Sequence, residues 1–240
     1  VDTDQSPYDT GSYASSTTYV TGMSVIKACE ELKEKMLKEA ALQLGIAQEA
    51  LIFEGHQISN EEGTVTISLD TLAQNAVVGE HDCLIAQASH SSPVSPPPFM
   101  VGFAEVEVDT ETGHTEMIDY VGVVDCGTVI NTSLARIQAE GGIAQGIGMA
   151  LYEDITYTAE GKMRNNTFMQ HNIPTRLDVG NIRVAFESTY EPTGPFGAKS
   201  IGEVVINTPC PAIAHAIYNA TGVRVRELPI TPEKIILGGE

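Results

Sequence analysis

Positive charge is scarce in this chain. Thirteen Lys plus Arg stand against thirty-two Asp plus Glu, a formal net charge of −19 over 240 residues. A surface of that sign repels phosphate backbones and anionic headgroups, which argues against nucleic-acid or membrane-surface roles. Long apolar runs are missing too, since no stretch approaches the ~20 residues of a membrane span. The opening VDTDQSPYDT has neither a basic n-region nor an apolar h-region, so export and anchoring are not expected and a cytoplasmic location is. The first residue is Val1, in a polar run, and a fragment or processed piece is the simplest expectation. Cysteines are few: Cys29, Cys83, Cys126 and Cys210 form no CxxC pair, so neither a zinc site nor a local iron–sulfur motif is indicated. They read as reduced thiols, mostly packing residues. His56, His81, His90, His114, His171 and His215 show no HExxH spacing and read as surface or packing residues. The phosphate loop GxxxxGK[ST] and the nucleophile elbow GxSxG are also absent.

What is present suffices for a real core, with 42% hydrophobic residues. From Gly22 to Gly45, Val25, Ile26, Cys29, Leu32, Met36 and Leu37 recur at helical intervals among charged residues, which predicts an amphipathic helix stopped by Gly45. LIFEGHQISN reads as a short strand, Glu62-Gly63 as a turn, TVTISL as an alternating strand, and the residues after it as a short helix capped by Asp70. The Pro- and Ser-rich stretch SHSSPVSPPP cannot continue a helix or a central strand. It divides the chain into an expected first α/β lobe at 1–90, a linker at 91–98 and a second lobe at 99–240. The second lobe opens with a hairpin turning at Asp109 to Gly113. A helix follows from about Asn131 to Tyr152, then a short strand around Arg183 to Glu187, a Gly/Pro-rich loop from Glu191 to Gly202, and a helix near Ala212 to Thr221. Helices and strands alternate irregularly, so the expected class is α+β, not a doubly wound sheet.

Three segments carry possible chemistry. The hydroxyl-rich loop GSYASSTTYVTG, running into a helix, has the small residues and donors that suit a pyrophosphate, although an exposed polar loop has the same composition. In QAEGGIAQGIGMAL, four glycines inside a helical pattern each cost about 1 kcal/mol relative to Ala, so something approaches that helix closely. Gln138 and Gln145, seven residues apart, fall on nearly one face, where an amide can both donate to and accept from a heterocycle. Tight packing on a sheet is the alternative. In GPFGAKSIGE a glycine-punctuated loop with one Lys can wrap an anion, and its final carboxylate, Glu203, precedes an apolar run whose desolvation would suit a base. A surface Glu after a turn is the alternative. Asp125-Cys126-Gly127 beside Asn131 reads as a turn and helix cap.

Taken in order, these segments resemble one family, the molybdenum hydroxylases that include xanthine dehydrogenase, aldehyde oxidoreductase, nicotinate dehydrogenase and carbon monoxide dehydrogenase. The resemblance rests on SYASSTTYVTG, VEVDTETG with DCGTVIN, QAEGGIAQGIGMALYE, GPFGAKSIGE and AIYNATGVRVRELPITPEKI, and runs almost end to end through the C-terminal part of the molybdenum subunit. It implies two mixed α/β lobes of a molybdenum-cofactor-binding domain. It also implies that Ser15, Ser16, Thr17 and Thr18 hold the phosphate or dinucleotide end of a molybdopterin, in the cytosine dinucleotide form. Asn131, Gln138 and Gln145 would contact the cofactor, Lys199 and Ser200 would line it, and Gly202 would sit at the metal. The metal itself is held by the pterin dithiolene and takes no side-chain ligand. Glu203 would be the general base for oxidation of an N-heterocycle or aldehyde carbon with water-derived oxygen. The implied partners are the N-terminal half of the molybdenum subunit, an iron–sulfur subunit or domain, a flavin (FAD) subunit or domain, and a small-molecule substrate. Two departures stand out: Val204 and Val205 follow Glu203 where many relatives have prolines, and Ser16 stands where several carry Arg. The rival readings are a non-catalytic structural or assembly subunit of such a complex and an unrelated nucleotide-binding module, which would lack the strand, GxGxxG and following acid such modules need.

Overall fold

The computed structural model describes residues 4, 6, 8, 9, 11–79 and 83–239, so Val1 and His81 lie outside the described residues. The chain divides into two compact units, Val1–Gly11 with Val20–Pro93, and Ser12–Tyr19 with Val94–Glu240. Each unit sets helices against its own three-stranded sheet, an α+β architecture. The expected first lobe at 1–90 therefore loses residues 12–19, which pack with the second unit, Ser15 bonding to Glu203 and the Tyr19 hydroxyl to the Thr193 hydroxyl.

In the first unit, helix α1 (Gly22–Leu44) and helix α2 (Leu69–Val78) pack on the antiparallel strands β1 (Leu51–Glu54), β2 (Gln57–Asn60) and β3 (Thr66–Ser68). The core is Ala40, Leu51, Ile58, Ile67 and Leu72, with Met36 and Leu37 of α1 against it. Only the C-terminal part of the predicted stripe is used in this way; Val25 and Cys29 are exposed. Gly45 ends α1 in the left-handed region (φ 66°), its N–H reaching the Ala41 carbonyl. LIFEGHQISN is two strands and not one, folded at Gly55 (φ 59°). The cap of α2 is Ser68, whose hydroxyl accepts from the Thr71 amide at 3.2 Å, while Asp70 lies in the first turn, where its charge meets the helix dipole.

In the second unit, β4 (Phe99–Val108) and β5 (Thr115–Asp125) form the expected hairpin. Asp109 Oδ1 accepts from the Glu111 amide at 2.9 Å in the turn, and that bond is the largest of the causes holding its carboxyl below the usual range. Strand β6 (Asn181–Phe186) pairs parallel to β5. A bulge separates the pairs Glu105↔Asp119 and Val106↔Met117, leaving Ile118 without a partner across the ladder. Before it Thr115 and Met117 are buried; after it Tyr120, Gly122 and Val124 are. Helices α3 (Thr132–Leu151) and α5 (Pro209–Thr221) cover the inner face, where Tyr120, Ile143, Ile147, Ile213 and Ile217 are buried. Short helices α4 (Val204–Asn207) and α6 (Pro232–Ile236) complete the unit. Among the described residues no helix is long and apolar enough to cross a membrane.

The glycines of α3 answer mostly to this packing. A Cβ at Gly142 would overlap Val205, and one at Gly146 would lie 2.6 Å from Pro209 Cγ. Gly148 faces the Glu153 side chain, and Gly141 faces open space.

Candidate cofactor site

A cavity of about 650 Å³ opens in the second unit. Its walls are the loop from Ser12 to Thr18, the N-terminal half of α3 with the residues just before it, and the loop that ends at Glu203. Three stretches far apart in sequence converge on one space.

The Glu203 loop is fastened to the end of β5. The Lys199 amide donates to the Cys126 carbonyl at 2.7 Å and the Thr128 amide to the Gly197 carbonyl at 2.9 Å. Gly127 has φ 70°, and a Cβ there would press on the backbone of residues 197–199, so only glycine allows the two segments to approach. Beneath them the Lys199 ammonium, 8% exposed as a residue, donates to Asp125 Oδ2 at 2.8 Å. Asp125 Oδ1 accepts from the Gly127 amide and the Thr189 hydroxyl. Burial pushes the Asp125 carboxyl up, but the Lys199 ammonium, the Gly127 amide and the Thr189 hydroxyl together hold it below the usual carboxylate range. Lys199 thus lines the cavity with its stem and spends its charge on Asp125, not on an anion inside. Cys126, also on the wall, is buried, and burial pushes its thiol up.

On the opposite wall Ala14 and Ser15 both adopt the left-handed region, at φ 49° and 55°. The Ser15 hydroxyl donates to Glu203 Oε2 at 2.9 Å and accepts from the Glu203 amide at 2.7 Å. Thr17 Oγ1 donates to Ser12 Oγ at 2.8 Å, on a π-helical turn spanning Thr17–Thr21. Asn131 caps α3 by accepting from the Leu134 amide at 3.0 Å and also lines the cavity. Gln138 Nε2 reaches the Gly202 carbonyl at 3.4 Å. Glu203 itself is exposed, so this chain alone does not desolvate it as the following apolar run suggests.

The cavity brings together Ser15, Thr17, Thr18, Asn131, Gln138, Lys199, Gly202 and Glu203. It does not include Ser16, Ser200 or Gln145. Ser16 turns back, its amide donating to the Tyr13 carbonyl. Gln145 is exposed two turns further along α3, about 10 Å from Gln138 at 1.5 Å per residue. Ser12 and Thr128 add hydroxyls that the sequence did not single out, although Thr128 follows the Asp125-Cys126-Gly127 turn directly. Among the described residues no cluster of three or more His, Cys, Asp or Glu could hold a metal ion.

Residues 1–180 match the family described as molybdopterin cofactor-binding domain. The chain belongs to that family. As a molybdopterin cofactor-binding domain it is 36% identical over 239 residues to the protein named "Probable hypoxanthine oxidase" of Escherichia coli K12, covering 98% of this chain and 25% of that one. It is 33% identical over 239 residues to the xanthine dehydrogenase molybdenum-binding subunit of Escherichia coli O157:H7, covering 98% of this chain and 32% of the relative. Quinoline 2-oxidoreductase from Pseudomonas putida 86 shares the fold with a TM-score of 0.86 and 28% identity, over 98% of this chain and 31% of that one. The domain thus spans about a quarter to a third of the length of these relatives. Glu203 and its loop lie beyond the stretch matched by the family.

Proposed function

We propose that this chain is the part of a molybdenum hydroxylase that forms one wall of the cofactor site and supplies the general base, Glu203. The observation that carries the reading is the convergence, in one cavity, of a hydroxyl-rich loop, a helix bearing Asn131 and Gln138, and a loop ending in a carboxylate. A cavity of this size suits an organic cofactor, and its donors are neutral hydroxyls and amides. Ser12 and Thr18 would hold the cofactor's phosphate end, in a cytosine dinucleotide form, with Thr17 orienting the Ser12 hydroxyl by donating to it. Asn131 and Gln138 would meet the heterocycle. When bound, molybdenum in its pterin dithiolene accepts the two electrons of the oxidation.

The protein's part is proton transfer and positioning. Glu203 would accept the proton from the water-derived nucleophile as that oxygen bonds to an electron-poor carbon of an N-heterocycle or aldehyde, while the C–H bond at that carbon breaks and gives up its hydrogen with both electrons to the cofactor. Iron–sulfur and flavin groups of partner domains would then carry the two electrons away. Glu203→Gln tests this in the complete enzyme with xanthine and benzaldehyde as probes. General-base catalysis contributes roughly 10²–10⁴-fold, so kcat should fall by that order while molybdenum and pterin content stay at the wild-type level. An unchanged rate would remove Glu203 as base; lost cofactor would make it a structural residue.

A further inference from the structure

We infer that Ser15 is a positioning residue for Glu203, holding one carboxylate oxygen so that the other is the proton acceptor. The inference deepens the general-base reading and rests on it. A serine hydroxyl has one proton to give and two lone pairs to receive with. The Glu203 amide is always a donor, so its 2.7 Å bond to Ser15 Oγ occupies a lone pair of the hydroxyl. The hydroxyl proton goes to Glu203 Oε2 at 2.9 Å. Main chain and side chain of the same glutamate are thus clamped by one atom, which restricts the rotamer and leaves Oε1 outside the clamp, in a residue that lines the cavity together with Ser15.

Two further features of the backbone serve this clamp. Ala14 and Ser15 are non-glycine residues in the left-handed region, a conformation that persists only where the surroundings over-determine it. On the other side, a Cβ at Gly202 would sit 2.8 Å from Ser15 Oγ, so the approach of the two loops depends on that glycine. The same geometry commits the Ser15 hydroxyl proton to Glu203, so that hydroxyl is not a donor for a phosphate oxygen.

The test compares Ser15→Ala, Ser15→Gly, Glu203→Gln and the Ser15→Ala/Glu203→Gln pair in the complete enzyme, with xanthine and benzaldehyde as probes and an artificial dye as electron acceptor. Glycine relieves the left-handed strain, so Ser15→Gly reads the lost hydroxyl even if Ser15→Ala folds poorly. Misplacing a reacting group by about 1 Å costs on the order of 10²-fold, so both single Ser15 variants should lose roughly 10- to 100-fold in kcat with KM and molybdenum content unchanged. Amide hydrogen exchange at residue 203 should quicken in both. Added to Glu203→Gln, Ser15→Ala should cost almost nothing more, since a clamp without its base has nothing to position. A full additive loss in that background, loss of cofactor from both Ser15 variants, or wild-type kcat in both while Glu203→Gln is slow would each overturn the inference and leave the base reading standing. A fast Glu203→Gln enzyme would overturn both.

Discussion

At the scale of single residues, Asp125 and Lys199 determine where the candidate base can stand. Removing the acid leaves a largely buried ammonium without its partner, so Asp125→Asn should destabilise the second unit by about 3–5 kcal/mol in a urea titration. The pH dependence has a definite sign. The Asp125 carboxyl is held below its ordinary value in the folded chain. Its contribution is therefore fully present above the unfolded value near pH 4, and is lost as pH falls through the lower folded value. Wild-type stability should decline from about pH 4 downward, and the difference between wild type and Asp125→Asn should shrink over the same interval. Other depressed carboxylates, among them Asp109 and Asp119, are unchanged between the two proteins, so the difference isolates Asp125. The sequence showed Lys199 as the one cation in a glycine-rich loop and Asp125 as a turn residue. That the two meet was not legible, because nothing in either segment encodes the other's approach.

At the scale of elements, α3 was legible from its apolar pattern and its Asn131 cap, but the reason for its glycines was not. Gly142 and Gly146 serve Val205 and Pro209, which lie in a distant segment that folds back on the helix. Gly142→Ala should cost about 1–3 kcal/mol by overpacking, and Val205→Ala in the same chain should recover part of it. Gly141 is the control. With nothing within 4 Å of its missing Cβ, Gly141→Ala should raise stability by about 0.5–1 kcal/mol through helix propensity alone. Thermal melts of the three variants check both signs. The hairpin was legible for a different reason: alternation in VEVDTETG and a polar turn are local signals, whereas the parallel pairing of β6 to β5 comes from residues too far apart for any local pattern to report.

For the whole molecule, large apolar side chains stand exposed on β4 and beside the cavity. Phe99, Val101 and Phe103 stand out from one face of β4, and Leu134 and Ile137 from α3 beside the cavity, each more than half exposed. Exposed apolar residues grouped in this way mark surfaces built to be covered. Expressed as these residues alone, the chain should hold far less than one molybdenum per molecule by metal analysis, and co-expression with the remaining parts of a complete enzyme should restore it. Stoichiometric cofactor in the isolated chain would show that this wall suffices. The family resemblance was legible across nearly the full length because five short segments occur in order. The cavity's outer boundary was not, since Gln145 and Ser16 have residue types suited to the site and yet are not among its lining residues.

The bulge at Ile118 has a consequence for how such a domain can change over generations. By taking up one unpaired residue, it switches the inward-facing positions of β5 from odd to even numbers, so that Val124 points into the core and Asp125 to the other side, toward Lys199. Deleting Ile118 would force one half of the strand to present its opposite face. Insertions in the turn at Asp109–Gly113 shift nothing beyond themselves, whereas a single insertion or deletion between Ile118 and Asp125 reverses which side the acid is on. Length variation among descendants should therefore gather at the hairpin's tip and be purged from its last seven residues, a reading-frame rule written in strand parity and not in codons.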